Sequence, residues 1–175
     1  VNRYAFKDLN QNENLDPYED WRLSATERAA DLASRMSVEQ IAGLMLYSAH
    51  QSIPGGGFRG GVTYQGKPFK ESGANSWDLS DPQIRFLTED HLRHVLLTRV
   101  ESPKVAALWN NQAQALVEGL GLGIPANNSS DPRHQAASNE EFTLGAWGEI
   151  SRWPGGIGLA ATFDPDLVKQ FGEIA

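Results

Sequence analysis

Residues 92–124 decide the fold, because they read as a buried strand, a long helix and a second strand in succession. The first strand has the sequence LRHVLLTRV (residues 92–100), which is mostly apolar and β-branched toward its end. Ser102 then supplies a helix N-cap and Pro103 occupies the first helical position. Glycines end the helix, and the next strand carries Ile124. A strand–helix–strand unit of this length predicts a parallel crossover, and therefore an α/β fold.

The second strand leads into the polar sequence GIPANNSSDPRH (residues 123–134). It places a carboxylate, a guanidinium and an imidazole within four residues, at Asp131, Arg133 and His134. Functional groups in α/β folds lie at the carboxyl ends of parallel strands, so this segment is a candidate site. The alternative interpretation is a polar loop in which Asp131 caps a turn at its Asp-Pro step. From spacing alone the two interpretations stay open.

Two capping boxes mark helix starts upstream of this unit. Ser24 and Glu27 form the first, and an apolar stripe at helical spacing predicts a helix from about 25 to 36. Ser37 and Gln40 form the second, which predicts a short helix. Near Gly43 this helix is expected to give way to a buried strand with the sequence LMLY, residues 44–47.

Residues 54–78 are rich in glycine and turn-forming residues, which predicts a long loop over a site. Residues 55–60 formally match the dinucleotide-binding pattern GxGxxG. That pattern requires a strand before it and a helix after it, whereas residues 61–69 alternate and turn like a hairpin. We therefore reject a dinucleotide site and predict a hairpin within the loop.

Near the N-terminus, residues 8–19 match the spacing of a twelve-residue calcium loop. Calcium takes six to eight hard oxygen ligands. The loop would supply five side chains and one backbone carbonyl, from Asp8, Asn10, Asn12, Asn14 (carbonyl), Asp16 and Glu19. The match predicts a structural Ca²⁺ that holds the N-terminal arm rather than a catalytic ion, since no open coordination position is visible.

One residue departs from the calcium-loop pattern, because Glu13 stands where glycine normally makes the sharp turn. A glutamate with positive φ is strained by about 1 kcal/mol or more. The alternative is therefore a polar, Asx-rich lead-in that caps and turns without binding metal.

Composition limits the classes of partner. The 175 residues are 40% hydrophobic, which is enough for a substantial core, and they contain no cysteine for a disulfide or a thiolate metal site. The net charge of −7, without clustered Lys and Arg, argues against nucleic acid as a partner. No apolar run approaches the length of a membrane span, and no leader-like segment is present.

The chain closes on a predicted helix that begins with an Asp cap at Asp164 and proline at Pro165. Its apolar stripe continues to Ile174, and neither glycine nor a basic last turn closes it before Ala175. We expect the natural polypeptide to continue beyond this point.

A series of motifs in a fixed order resembles the N-terminal domain of family 3 glycoside hydrolases, the β-glucosidase family. The resemblance spans roughly residues 20–175. The matching segments are ERAADLASRMSVEQ (27–40), WNNQ (109–112), GIP (123–125), SDPRH (130–134), RWP (152–154) and GLAATFDP (158–165).

The resemblance implies the N-terminal portion of a (β/α)8 barrel with an irregular lead-in and a hairpin-containing loop insertion. A full barrel takes about 250 residues, so the chain would hold only part of one. The expected division is an N-terminal arm over residues 1–23 with the calcium-loop-like segment, and barrel over residues 24–175. In the family a second α/β domain follows, so the remainder of the polypeptide is an expected partner of this chain.

The resemblance also implies a retaining, exo-acting β-glycosidase, most simply a β-glucosidase that removes terminal non-reducing β-D-glucosyl residues. Such enzymes use two carboxyl groups about 5–5.5 Å apart. In the family both lie downstream of Ala175, so no catalytic residue is assigned here and residues 1–175 alone are expected to be inactive. Asp131 matches the family aspartate that binds sugar hydroxyls, with Arg133 and His134 as supports, although Gln135 replaces a common glycine.

Several further expectations follow from the resemblance. The substrate would be an oligosaccharide or an aryl or alkyl β-glycoside, with no cofactor for catalysis and at most a structural Ca²⁺. By analogy, the location would be periplasmic or secreted. The alternative function, from a class other than enzymes, is that of a non-catalytic, calcium-stabilised carbohydrate-binding or interaction module.

Overall fold

The computed structural model describes residues 5–55, 62–130 and 153–174. A short 3-10 turn, Pro17–Glu19, precedes the first helix. Seven helices and five strands follow in these ranges: α1 Ala25–Arg35, α2 Val38–Leu44, β1 Gln51–Ile53, β2 Thr63–Tyr64, β3 Lys67–Pro68, α3 Phe69–Ser72, α4 Asp81–Thr88, β4 His94–Val100, α5 Pro103–Glu118, β5 Asn127–Ser130, α6 Gly156–Ala160 and α7 Pro165–Ile174. None of these helices has the length and apolar character needed to cross a membrane.

The central feature is a three-stranded parallel sheet in the order β1-β4-β5. In it Gln51 pairs with Leu97, and Leu97 pairs on its other side with Ser130. The unit β4–α5–β5 is thus the parallel crossover that the sequence predicts, and the fold is α/β. Strand β5 begins at Asn127, three residues after Ile124, so the expected apolar entry lies in the connection before the strand.

The core lies between the sheet and α5. Trp109, Ala113 and Val117 repeat at helical spacing and are fully buried, as is Val95 of β4. The other members of this cluster are Ile53, Leu87, Leu92, Leu97, Val100, Val105 and Ala126. Burial of the α5 stripe therefore fixes the helix on one face of the sheet.

The helix starts predicted from capping motifs are confirmed. The Ser24 hydroxyl accepts from the Glu27 amide at 3.2 Å, and Ser102 caps α5 in the same way at 3.2 Å from Val105. At α7, Asp164 Oδ1 accepts the amide hydrogens of Asp166 and Leu167 at 3.1 and 3.0 Å. Side-chain acceptors at these positions satisfy amides that have no partner inside the helix.

The prediction of a buried strand over residues 44–47 is wrong. Helix α2 continues through Leu44, and Met45 is 82% exposed. Tyr47 forms only an isolated bridge with His94, and the strand of the sheet comes later, as β1. An apolar run of four residues does not distinguish the end of a helix from a buried strand, and here the helix begun by the second capping box extends into the run.

The predicted hairpin is confirmed as the antiparallel pair β2–β3. Its turn is tied to α4 by Asp81, whose carboxylate accepts from Thr63 Oγ1 at 2.6 Å and from the amides of Gln65 and Gly66. These hydrogen bonds, the Thr63 hydroxyl first, lower the pKa of Asp81. Apart from Gly55, the rejected GxGxxG pattern lies outside the described residues, and a hairpin rather than a helix follows it.

Candidate functional site

The strand that leads to the predicted site is described up to Ser130. Asp131, Arg133 and His134 themselves lie outside the described residues. Strand β5 pairs with β4 from His94–Asn127 to Leu97–Ser130. The chain therefore reaches Asp131 from the carboxyl end of a parallel strand, the edge where α/β folds place binding groups.

The two faces of β5 have different environments because side chains of a strand alternate. Ala126 and Asn128 lie on the side of α5, where Ala126 is buried in the core. Asn127 and Ser129 lie on the opposite side, beside His94 and Leu96 of β4. Strand β5 thus has a helix-covered face and a polar face.

Two amide side chains of α5 contact the covered face. Gln114 bonds the backbone of Ala126 twice: its Nε2 donates to the carbonyl at 2.8 Å and its Oε1 accepts from the amide at 3.0 Å. One helical turn earlier, Asn110 Oδ1 accepts from Asn128 Nδ2. Neither side chain was assigned a role from the sequence, although Asn110 lies within the motif WNNQ. The sequence feature that could have identified them is the i, i+4 spacing of two amide side chains beside the apolar stripe of α5.

The opposite face carries a polar cluster that the sequence analysis also missed. Tyr47 stacks on His94 with ring centroids 6.2 Å apart, and its hydroxyl hydrogen-bonds to Ser129 Oγ. His94 Nδ1 lies 3.1 Å from Asn127 Nδ2. These residues come from three separated segments, so only the pairing of the strands brings them together.

The predicted calcium loop, residues 8–19, is a compact ring of polar contacts. Asp8 accepts the amide hydrogens of Asn12 and Glu13 at 3.1 and 2.8 Å. The carboxylate of Asp16 accepts from the side-chain amides of Asn10 and Asn12 at 2.7 and 2.9 Å. Four of the predicted ligand side chains therefore converge inside one loop.

Glu19 and Asn14 complete the ring. The carboxylate of Glu19, which is 6% exposed, accepts the amides of Leu9 and Asp16 at 2.7 and 3.0 Å. The Asn14 amide donates to Asn12 Oδ1 at 2.8 Å. Glu13 takes a φ of 64°, so the loop makes the sharp turn of the calcium-loop pattern at the residue where strain was expected.

Salt bridges connect the ring to α1. Arg35 reaches Asp16 and Asp31, with N–O distances of 2.9 Å to each. The pKa of the Asp16 carboxyl is lowered, mainly by the hydrogen bond from Asn10 and then by Asn12 and Arg35. Burial raises the pKa of the neighbouring Tyr18 to about 12.

The same loop packs on the turn that enters β5. A Cβ placed on Gly123, whose φ is +63°, would stand 2.6 Å from the carbonyl oxygen of Leu9. The Tyr18 hydroxyl donates to the Leu122 carbonyl at 3.3 Å, and Lys7 pairs with Glu118. Glycine is therefore required at 123 both by its backbone conformation and by the close approach of the loop.

The donor set of the loop fits Ca²⁺ in chemical type, because every predicted ligand is a hard oxygen. Within the described ranges, no cluster of three acidic or imidazole side chains is arranged to hold a metal. Binding in the loop would therefore need the Asn10 and Asn12 side chains to turn their oxygens inward, since their nitrogens now face Asp16. The loop closes through its own hydrogen bonds.

The chain is homologous to β-glucosidases over nearly its whole length, which confirms the resemblance read from the motifs. It is 39% identical over 176 residues to the "Periplasmic beta-glucosidase/beta-xylosidase" of Dickeya chrysanthemi, a match that covers 99% of this chain. It is 30% identical over 166 residues to the "Probable beta-glucosidase C" of Aspergillus oryzae and 30% identical over 169 residues to the "Beta-glucosidase C" of Emericella nidulans.

The chain spans about a quarter of the length of these curated relatives, 24% in each case. It matches no protein-family profile. Because the relatives are named as glycoside hydrolases, the similarity does not favour the alternative of a non-catalytic binding module.

Proposed function

We propose that the chain is the N-terminal part of a β-glycosidase barrel that acts on terminal β-glucosyl residues with retention. The observation that carries the proposal is the match over 99% of this chain to a protein named as a β-glucosidase/β-xylosidase. The parallel β4–α5–β5 unit is compatible with the start of a (β/α)8 barrel. The proposed substrate is an oligosaccharide or an aryl or alkyl β-glucoside.

We propose that Asp131 binds hydroxyl groups of the sugar. It follows Ser130 directly at the carboxyl end of β5. A carboxylate can accept hydrogen bonds from two neighbouring hydroxyls, each contributing about 1.5–3 kcal/mol because the acceptor is charged. Arg133 and His134 would support this group. The two catalytic carboxyl groups and a second α/β domain would come from the remainder of a longer polypeptide, so residues 1–175 alone would be inactive.

The Asp131→Asn variant of the full-length enzyme tests this role. An amide offers one acceptor oxygen without charge, so kcat/KM on an aryl β-glucoside is expected to fall at least about tenfold, equivalent to about 1.4 kcal/mol. Asp90→Asn is the matched control, because Asp90 is exposed at the end of α4 and its variant should stay within about twofold of wild type. Unchanged kinetics in Asp131→Asn would remove the proposed role.

We also propose that the loop at residues 8–19 binds a structural Ca²⁺. Titration of chelator-treated protein with CaCl₂ is expected to give saturable heat and a higher Tm, because the ion would replace internal hydrogen bonds with direct oxygen ligation. Asp8→Asn should weaken binding at least about tenfold, whereas Asp20→Asn, outside the loop, should not. Absence of both heat and a Tm increase would identify the loop as a metal-free cap.

The proposed location is the periplasm or the exterior of the cell. The support is a bacterial relative whose name includes the word periplasmic. Fractionation of the source cells, with activity on an aryl β-glucoside as the marker, would test it.

A further inference from the structure

Strand β5 lacks the hydrophobic pattern that normally sets the register of a strand. Its sequence is Asn-Asn-Ser-Ser, residues 127–130, and its last apolar neighbour inside the core is Ala126. A shift of one residue turns every side chain to the other face, and polar strands resist such shifts weakly. Backbone hydrogen bonds, such as that from Asn127 N to the carbonyl oxygen of Arg93 just before β4 at 2.7 Å, form whatever the side chains are and therefore do not specify the register.

The amides of α5 supply the missing specificity. Gln114 holds the backbone of Ala126 at both its N–H and its C=O, and Asn110 holds the side chain of Asn128. The helix runs antiparallel to this part of the strand, so the residue earlier in α5 meets the residue later in β5. We call these two contacts the amide ladder.

The spacing of the amide ladder matches the geometry of its two elements. Four residues of an α-helix rise about 6.0 Å, and two residues of a strand advance about 6.6 Å. Asn110 and Gln114 are four apart, and Ala126 and Asn128 are two apart. A one-residue slip of β5 would move Asn128 to the polar face and break the Asn110 contact.

Among the described residues, only one of the two polar groups of the Asn128 side chain has a hydrogen-bond partner. Its Oδ1 is buried and has no hydrogen-bond partner among the described residues. Asn128 lies three residues before Asp131.

We propose that Asn110 and Gln114 are positioning residues that set the register of β5 and, through it, the placement of the Asp131 carboxylate against the sugar. The inference rests on the proposed function of Asp131. A displacement of a binding group by about 1 Å reduces the rate of a positioned reaction severely. The residues act through the strand and touch no substrate themselves.

The test combines variants of Asn110 and Gln114 with Asp131→Asn in the full-length enzyme. Gln114→Met keeps the volume and removes both bonds to Ala126, and Asn110→Leu removes the bond to Asn128. Each is expected to lower kcat/KM on an aryl β-glucoside about fivefold to tenfold. In the Asp131→Asn background each should lower it less than about twofold, because changes coupled through one backbone segment are not additive.

Matched controls stand on the same helix. Asn111→Leu and Gln112→Met alter exposed amides of the same residue types, and both should leave kcat/KM within about twofold of wild type. If Gln114→Met does not fold, Gln114→Glu keeps the acceptor for the Ala126 amide but sets a carboxylate oxygen against the Ala126 carbonyl, so a loss at least as large with the same dependence on Asp131 is expected.

The outcomes separate the two proposals. If Asp131→Asn leaves kcat/KM unchanged, the role of Asp131 fails and the positioning role fails with it. If Asp131→Asn is impaired but the α5 variants reduce kcat/KM by equal factors in both backgrounds, the positioning role alone is overturned. Wild-type kcat/KM in both Gln114→Met and Asn110→Leu would also overturn it.

Discussion

Replacing Trp109 with alanine is expected to lower the free energy of unfolding by about 3–5 kcal/mol, the typical cost of truncating a buried large aromatic residue. Trp109 has no exposed surface and lies in the centre of the cluster between α5 and the sheet. Its Nε1 also donates to Gln83 Oε1 at 3.1 Å. The variant would leave a cavity and would remove one of the two donors to Gln83 Oε1, the other being the Ser80 amide at 3.0 Å.

Urea unfolding followed by circular dichroism measures this loss without depending on tryptophan fluorescence. Trp109→Phe should lose less, because it keeps most of the buried apolar area and removes only the indole donor. Trp21→Ala serves as the control, since Trp21 is 61% exposed and its removal should cost clearly less. Equal losses in Trp109→Ala and Trp21→Ala would contradict the assignment of Trp109 to the centre of the core.

Replacing Arg93 with methionine is expected to cost about 3 kcal/mol, because hydrogen bonds to a charged donor are worth about 1.5–3 kcal/mol each and several are lost. Arg93 is 6% exposed and, among the described residues, pairs with no carboxylate. Its Nη1 donates to the carbonyls of Leu87 and Leu92, both at 2.8 Å, and its Nε donates to Ile124 at 3.0 Å. The guanidinium thus joins the end of α4, the start of β4 and the segment before β5.

The same unfolding experiment tests Arg93 against two related variants. Arg93→Lys should recover only part of the stability, since one ammonium group cannot reproduce the fork of guanidinium donors. Arg85→Met removes an exposed arginine that pairs with Glu89 at 3.0 Å, and surface pairs of this kind contribute about 0.3–0.5 kcal/mol. A loss in Arg93→Met no greater than that in Arg85→Met would show that the three carbonyls find other donors.

The position of Arg93 illustrates why part of the structure could not be read from the sequence. Arg93 stands near the start of an apolar run, and a charged residue at the end of a strand is normally solvated. Its guanidinium is held by the carbonyls of Leu87, Leu92 and Ile124, and the last of these lies 31 residues away in the chain. No local sequence pattern predicts that these three carbonyl groups meet at one side chain.

The run at residues 44–47 shows the reverse case, in which apolar residues predicted to be buried are exposed. Four apolar residues satisfy the pattern of a buried strand, yet Met45 and Tyr47 are exposed and α2 extends to Leu44. Strand β1 instead forms from Gln51–Ile53, whose pairing with β4 selects it. Short strands are decided by their partners more than by their own residues.

For the candidate site, the sequence predicted a strand before the motif at residues 130–134 but not the contacts that hold this strand. The motif at residues 130–134 directed attention to Asp131, and the structure describes the chain up to Ser130. The amide ladder and the cluster of Tyr47, His94 and Ser129 emerge only when α5 and the strands are assembled. Their members lie on different elements, so no local sequence pattern groups them.

By itself, the sequence determined the start of α1 and the extent of α5, because capping and helical periodicity act within one or two turns of chain. The spacing of polar residues likewise indicated the polar ring at residues 8–19. The order of strand, helix and strand indicated the parallel crossover. The tertiary structure alone decided the burial of Arg93, the contact of Leu9 with Gly123 and the register of β5. Each of these depends on groups far apart in sequence, whose hydrogen bonds and close approach exist only after the helices pack on the sheet.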